Sequence, residues 1–292
     1  MGDVTAREVM VVKYGGRAAG DMDAFSADVA EVFRSGQQVI IVHGGSTEID
    51  RLAARLGVPM RSMTSPDGLS ARITDDSTLE VVTLALAGAV QPRLVTALLA
   101  AGAPAVGLTG IDGGLVRASR RSARRTVSDG RQIVRRGDHS GRITEVRTTL
   151  LRCLLDAGFL PVICPPVLAG DQTPVNADAD QIAAAVAAAM HATVLLLLTG
   201  APGVLADAAD ASSVLAVCEV PAVGPPPYRA GGMGVKLLAA RAALAAGVPR
   251  VLIGDARIAG PVRSALAGAA TTVLISEPTE HTEPAEHAEL AR

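Results

Sequence analysis

Short β-branched runs that lead into glycine turns recur along this chain, and helical patterns separate them. Val9–Val12 runs into Lys13-Tyr14-Gly15-Gly16, and Val39–Val42 runs into His43-Gly44-Gly45-Ser46. Apolar runs this short, bounded by glycine and charge, predict parallel strands buried on both faces. The spacing predicts helices over Asp23–Arg34, Thr47–Leu56, Thr78–Leu86 and Gln91–Ala100, with Gly57 and Gly102 as stops. Ala105–Leu108, Leu160–Cys164, Val194–Leu198 and Arg250–Ile253 read as further strands. Thr148–Asp156, Asp180–Met190 and Val235–Ala245 read as further helices. Such alternation predicts an α/β sandwich around a mostly parallel central sheet. There is no internal repeat.

At 292 residues, 49% of them hydrophobic, the chain can bury one large core or two lobes. No apolar stretch approaches the length needed to span a bilayer, and no basic start precedes a short apolar segment. The expected location is therefore the cytoplasm, with no membrane as partner. Cys153, Cys164 and Cys218 lie far apart inside apolar stretches, as expected of buried thiols in a reducing compartment. Residues 277–292 hold five glutamates and no apolar periodicity, which predicts a disordered acidic tail.

The net charge of −2 conceals a strong asymmetry. Residues 117–147 carry ten arginines against Asp129, Asp138 and Glu145, a local balance of +7. Within this segment Ser128-Asp129-Gly130 separates Arg124–Val127 from Gln132–Arg136, which predicts an exposed hairpin. A patch of this charge suits an acidic macromolecule and would speed its association. The segment contains no aromatic residue on which bases could stack, so nucleic acid is not the expected partner. A solvated hairpin with no partner is the plainer alternative.

Of the 27 basic residues only Lys13 and Lys236 are lysine. Lys13 follows a buried strand, at the end where α/β proteins bind ligands, and a lysine there needs an anion. Lys236 falls in the first turn of a helix opened by Gly231-Gly232-Met233-Gly234, where a cation opposes the helix dipole. A bound phosphate would account for it; so would exposure to solvent. His43-Gly44-Gly45-Ser46 is either an anion-binding helix start or a tight turn with Ser46 or Thr47 as N-cap. Asn176-Ala177-Asp178-Ala179-Asp180 precedes an alanine-rich helix, and Asp180 is either its N-cap or an organiser of lysines and Mg²⁺ around a transferring phosphate. Neither a GxxxxGK[ST] loop nor a GxGxxG turn after a strand is present.

Taken together and in this order, VVKYGG, HGGS, NADAD, LTGAPGVL at 198–205 and GGMGVK resemble the amino acid kinase family. The resemblance spans roughly residues 8 to 275. It implies the carbamate kinase-like three-layer α/β sandwich, with residues 1–175 as an acceptor-binding lobe and 176–276 as a lobe for MgATP. Lys13 and Lys236 would neutralise the transferring phosphoryl group and Asp180 would hold them, these three being the catalytic set. Gly44, Gly45, Ser46, Arg72 and Asn176 would bind the acceptor. Gly15, Gly16, Thr199, Gly203 and Gly232 would line the phosphate and ATP side. Arg72-Ile73-Thr74-Asp75 with Thr78-Leu79-Glu80-Val81 is similar to a further family segment whose arginine grips the acceptor's α-carboxylate side, and a guanidinium fork such as that of Arg72 suits a carboxylate. Ser46, in place of the last glycine of HGGG, and Gly137-Asp138-His139-Ser140-Gly141 are similar to the carrier-dependent branch. Those kinases phosphorylate the distal carboxylate of aminoadipate or glutamate linked through its α-amino group to an acidic amino-group carrier protein, LysW. Arg117, Arg120, Arg121, Arg124, Arg125, Arg135 and Arg136 would then contact the carrier. A homodimer is implied. The alternatives are a kinase of free N-acetyl-L-glutamate and, from another class, a non-catalytic amino-acid sensor. Gly200, where relatives carry aspartate, alters the nucleotide side.

Overall fold

The structure, a computed structural model, describes residues 8–15, 21–64, 70–120, 123–128, 131–228 and 232–276, with the backbone alone at 123–128 and 131–136. The first half runs β1 (Val9–Tyr14), α1 (Met22–Arg34), β2 (Gln38–His43), α2 (Ser46–Leu56), β3 (Ser62–Thr64), β4 (Ser70–Arg72), α3 (Asp76–Ala85) and α4 (Gln91–Ala100). Five strands and a helix follow: β5 (Ala105–Gly110), β6 (Val116–Arg120), β7 (Ala123–Ser128), β8 (Arg131–Arg136), β9 (Gly141–Val146) and α5 (Thr149–Asp156). Then come β10 (Leu160–Ala169), β11 (Pro174–Val175), α6 (Ala179–Ala189), β12 (Val194–Thr199) and β13 (Val217–Pro221). The chain closes with α7 (Met233–Ala245), β14 (Arg250–Asp255), α8 (Pro261–Leu266) and β15 (Thr271–Ser276).

One sheet orders these strands as β13-β15-β14-β12-β1-β2-β10-β6-β9, with β5 and β11 also paired to β10. The pairs β1–β12, β1–β2, β2–β10, β5–β10 and β12–β14 are parallel, whereas β14–β15 and β6–β9 are antiparallel. β1 is central and wholly buried, so its side chains alternate between two cores. Val9 and Val11 face α5, α6 and α7 through Leu151, Ile182 and Leu237. Met10, Val12 and Tyr14 face α1, α4 and α8 through Phe25, Leu94 and Val262. This is the expected three-layer sandwich, and it sets β1 and β12 side by side with their carboxyl ends level. Lys13 pairs with Leu197 in that register.

A second, antiparallel sheet runs β4-β3-β7-β8. The predicted hairpin is present as the β7–β8 ladder from Ala123↔Arg136 to Ser128↔Arg131. It is not free-standing, because Thr64↔Val127 joins it to β3.

The helix expected to stop at Leu86 does not stop. Asp76–Ala100 is continuous over 25 residues, with a π-helical turn at Leu86–Val90. Pro92 has no N–H to donate and crowds the preceding turn, and the widened turn accommodates it without ending the helix. The helix is thus long and apolar enough to cross a bilayer, contrary to the count made on the sequence. It packs instead in this fold, with Leu94 and Leu98 fully buried. Cys164 and Cys218 are buried free thiols, but Cys153 is exposed, since α5 turns Leu151 and Leu155 inward. The tail at 277–292 lies outside the described residues.

Candidate active site

A cavity of about 1310 Å³ opens at the carboxyl ends of β1 and β12 and the amino ends of α6 and α7. Asp178, not Asp180, caps α6. Its carboxylate accepts the Asp180 and Gln181 N–H groups at 2.9 and 3.1 Å. The Asp180 side chain is thereby free to project between the two lysines. Its Oδ1 lies 3.0 Å from Lys13 Nζ, and Lys236 Nζ donates to Oδ2 at 2.9 Å and to Oδ1 at 3.1 Å. Lys13 and Asp180 are buried, with 6% and 5% of their surface exposed.

Burial opposes the charge on each member, and the cluster overrides it unevenly. Burial pushes the Asp180 carboxyl up, but the two ammonium groups outweigh it and hold the pKa below the usual range. Burial pushes Lys13 down, and Asp180 with Asp178 more than restores it. For Lys236, burial and the charge of Lys13 prevail over Asp180, so its pKa falls. The two ammonium groups converge on one carboxylate in the cavity, an arrangement suited to a phosphoryl group in transfer.

Glycines shape the walls by close approach. A Cβ on Gly15 would sit 2.8 Å from the Leu198 carbonyl oxygen, and one on Gly45 would sit 2.8 Å from Leu86 Cδ2. Gly45 is also the N-cap of α2, with no side-chain cap, so neither Ser46 nor Thr47 plays that part. Gly44, Gly45 and Ser46 line the cavity, as do Thr199, Gly200 and Gly232. Gly232 caps α7 at φ 88°, a conformation that strains any residue with a Cβ. Gly203 lies elsewhere. It packs on Thr271, whose hydroxyl receives the Val204 N–H at 2.9 Å, so its place is structural. Gly16 and Gly231 are outside the described residues.

On the opposite wall Asn176 donates to Thr74 Oγ1 at 3.3 Å, and the Thr74 N–H donates to Asp138 at 3.0 Å. Buried Asp138 thus ties the loop at 137–141 to Thr74 and, through it, to the Asn176 wall of the cavity, a link the GDHSG motif did not reveal. Arg72 lines the cavity, but its Nη2 is paired with Asp50 at 2.9 Å. Arg61, Arg142 and Arg241 also line it and were not singled out in the sequence. Arg241 donates to the Pro221 and Gly224 carbonyls at 2.9 and 2.7 Å, tying α7 to the loop after β13. His43 is buried with Nδ1 3.1 Å from the Gly44 carbonyl, and burial lowers its pKa to about 4, so it stays neutral.

The candidate carrier-binding arginines divide. Arg120 reaches His139, 2.7 Å from its Nδ1, and lies 3.9 Å from Asp171. Arg117 is half-buried on β6, its Nε enclosed with no hydrogen-bond partner among the described residues. Arg124 and Arg125 lie on β7 and Arg135 and Arg136 on β8; their side chains, and Arg121 entirely, fall outside the described residues.

Residues 8–255 match the family described as the amino acid kinase family. The chain belongs to that family. As an amino acid kinase it is a phosphotransferase, and the sensor alternative is set aside. It is 40% identical over 268 residues to the LysW-aminoadipate kinase of Thermus thermophilus, covering 91% of this chain and 100% of that one. It is also 40% identical over 257 residues to the acetylglutamate kinase of Symbiobacterium thermophilum, covering 86% and 85% of the two chains. The carbamate kinase of Giardia shares the amino acid kinase fold, with a TM-score of 0.63 over 93% of this chain and 100% of that one at 17% identity.

Proposed function

We propose that this kinase transfers the γ-phosphoryl group of ATP to the distal side-chain carboxylate of an amino acid held on a small acidic carrier protein. The amino acid is 2-aminoadipate, glutamate or an analogue. The observation that carries this reading is the second sheet. Its strands β3 and β4 supply Ser62, Ser70 and Arg72 to the cavity wall, and its other two strands are the arginine-rich β7 and β8. The arginine-rich strands therefore belong to the same sheet as the strands that line the cavity, and an acidic partner docked on that sheet would present its attached amino acid to the cavity. The relative named for LysW-linked aminoadipate supports the same reading.

In this mechanism no protein side chain attacks. A carboxylate oxygen of the acceptor bonds to the γ-phosphorus, the bond to the β–γ bridging oxygen breaks, and ADP departs. Lys13 and Lys236 neutralise the equatorial oxygens, Asp180 holds both ammonium groups, and Asn176 positions the acceptor. Among the described residues no group of three His, Cys, Asp or Glu could hold a metal, so Mg²⁺ fits as a companion of the nucleotide phosphates. Residues up to 175 would serve the acceptor, and residues 176–276 MgATP. A cytoplasmic homodimer completes the reading. Exposed Leu84 and Leu99 on the long helix offer apolar surface for the dimer.

The second reading, a kinase of free N-acetyl-L-glutamate, draws on the equal identity to an acetylglutamate kinase. Offering both acceptors side by side with MgATP separates the two. The expected result is phosphorylation of carrier-bound aminoadipate with an affinity that falls steeply with salt, because exposed charges act over a Debye length of about 10 Å at 0.1 M. Reversing Arg120, Arg121, Arg124 and Arg125 to Glu should raise KM for that acceptor and spare kcat. Efficient turnover of the free compound, indifferent to those reversals, would leave the second reading.

A further inference from the structure

His43 closes β2 in register with Tyr14 and is wholly buried. Its ring does not line the cavity, whereas the next two residues, Gly44 and Gly45, do. Nδ1 lies 3.1 Å from the Gly44 carbonyl oxygen. That oxygen can only accept, so Nδ1 is the nitrogen that carries the hydrogen. A neutral imidazole has a single N–H, which leaves Nε2 bare, and Nε2 is enclosed without a hydrogen-bond partner among the described residues. Gln91, buried at the start of α4, bears on the ring's titration, and its Oε1 accepts the Cys164 thiol. In a planar trans peptide the carbonyl of one residue and the N–H of the next point in opposite directions. Turning the Gly44 carbonyl to the imidazole therefore turns the Gly45 N–H away from it, to the cavity side. That N–H makes no hydrogen bond among the described residues, and it stands at the amino end of α2. Gly45 is fixed on another side as well, since a Cβ there would fall 2.8 Å from Leu86 and 2.9 Å from Val90 of the π-helical turn.

We propose that His43 is a positioning residue whose Nδ1–H holds the Gly44 carbonyl and so aims the Gly45 N–H at the phosphoryl oxygens in transfer. The lysines supply charge at that end of the cavity, and a backbone N–H adds a dipole. Such a dipole helps most when it is already aimed before the reaction, so that nothing reorganises as charge moves. Two successive glycines cannot aim themselves, because without Cβ atoms their peptide planes rotate with little restraint. The bond from His43 removes that freedom at the Gly44–Gly45 peptide. The inference rests on phosphoryl transfer at the Lys13–Lys236 end and is the same for either acceptor.

Three variants of the full chain separate aiming from filling. His43→Leu occupies much of the ring's volume and has no donor. His43→Gln places its amide where Nε2 stands, and His43→Asn places a side-chain N–H where Nδ1 stands. kcat should fall by about 10- to 100-fold in His43→Leu and His43→Gln, and His43→Asn should recover most of that loss. KM for ATP and for the acceptor should change less than kcat. Tm should follow a different order, with His43→Asn the least stable because its smaller side chain leaves a void. Loss of kcat that simply tracks Tm across the three variants, or no recovery in a folded His43→Asn, would make His43 a packing residue and overturn the proposal. Nitrogen NMR reads the tautomer directly on the wild type, whose five histidines include the one signal that a variant lacks. Hydrogen on Nδ1 is expected, and hydrogen on Nε2 would overturn the proposal. That spectrum needs no acceptor, so failure of the carrier reading is a separate outcome, revealed by turnover of free N-acetylglutamate.

Discussion

Replacing Asp180 by Asn keeps the shape of the site and removes the one charge that both lysines share. Its carboxylate contacts Lys13 at 3.0 Å and Lys236 at 2.9 Å, with Lys13 and Asp180 buried and Lys236 partly so. Breaking a buried ion pair by deleting one partner costs about 3–5 kcal/mol when the other charge stays stranded. A lysine can escape that cost by losing its proton. Lys236 is poised to do so, since burial and Lys13 already hold its pKa below the ordinary value. The variant should then fold but lack a positive charge at the phosphoryl group, and the loss of one such stabilising group lowers kcat by about 10²–10³. The sign with pH follows. The lysines act as cations, so activity is lost as pH rises through their pKa values, and removing Asp180 lowers those values. The alkaline limb of kcat should move to lower pH in Asp180→Asn, with partial recovery of activity on the acid side. Stability should run the other way. The folded pKa of Asp180 is depressed, so its stabilising effect is present above the unfolded value and lost as pH falls through the folded one. The gap in Tm between wild type and variant should therefore close in acid. A folded variant with near-normal kcat and an unmoved alkaline limb would refute the argument.

Lys13→Ala and Lys236→Ala should each lower kcat by about 10² or more with the circular dichroism spectrum unchanged, and near-normal turnover in either removes that lysine from the chemistry. Gly15→Ala places a methyl group 2.8 Å from a backbone oxygen of β12, so stability should fall by about 1–3 kcal/mol, read as a lower denaturant midpoint at constant slope. An unchanged midpoint would show that the strand ends separate freely. Arg241→Ala releases the 221–224 loop on the α7 side and should raise KM for ATP several-fold without changing acceptor KM, whereas equal rises in both would argue against a role on the nucleotide side.

The strands of the central sheet were legible because burial on both faces leaves a continuous apolar signature in Val9–Val12, Val39–Val42 and Val194–Leu198. Edge elements carry no such signature. β13 and β15 pair at the margin of the sheet and mix Glu219, Thr271 and Thr272 with their apolar residues, so composition alone passed over them. The break expected after Leu86 failed for a related reason. Glycine and proline mark helix ends statistically, yet a helix packed along its length can keep its path by widening one turn.

The sequence by itself determined the layered fold, the lysine pair, Asp180 and the basic segment, because each is a local pattern whose chemistry can be read without knowing its neighbours. Only the tertiary structure decided who partners whom. It gave the N-cap to Asp178 and freed Asp180 for the lysines, paired Arg72 with Asp50 and moved Gly203 out of the cavity. It also joined the arginine-rich hairpin to β3 and, among the described residues, left the Arg142 side chain without a partner in the cavity. Those outcomes depend on distances between residues far apart in the chain: 22 positions for Arg72 and Asp50, 56 for Lys236 and Asp180. Charge acts through space over a few ångströms, and a linear pattern records the charges but not the separations that decide which of them cancel.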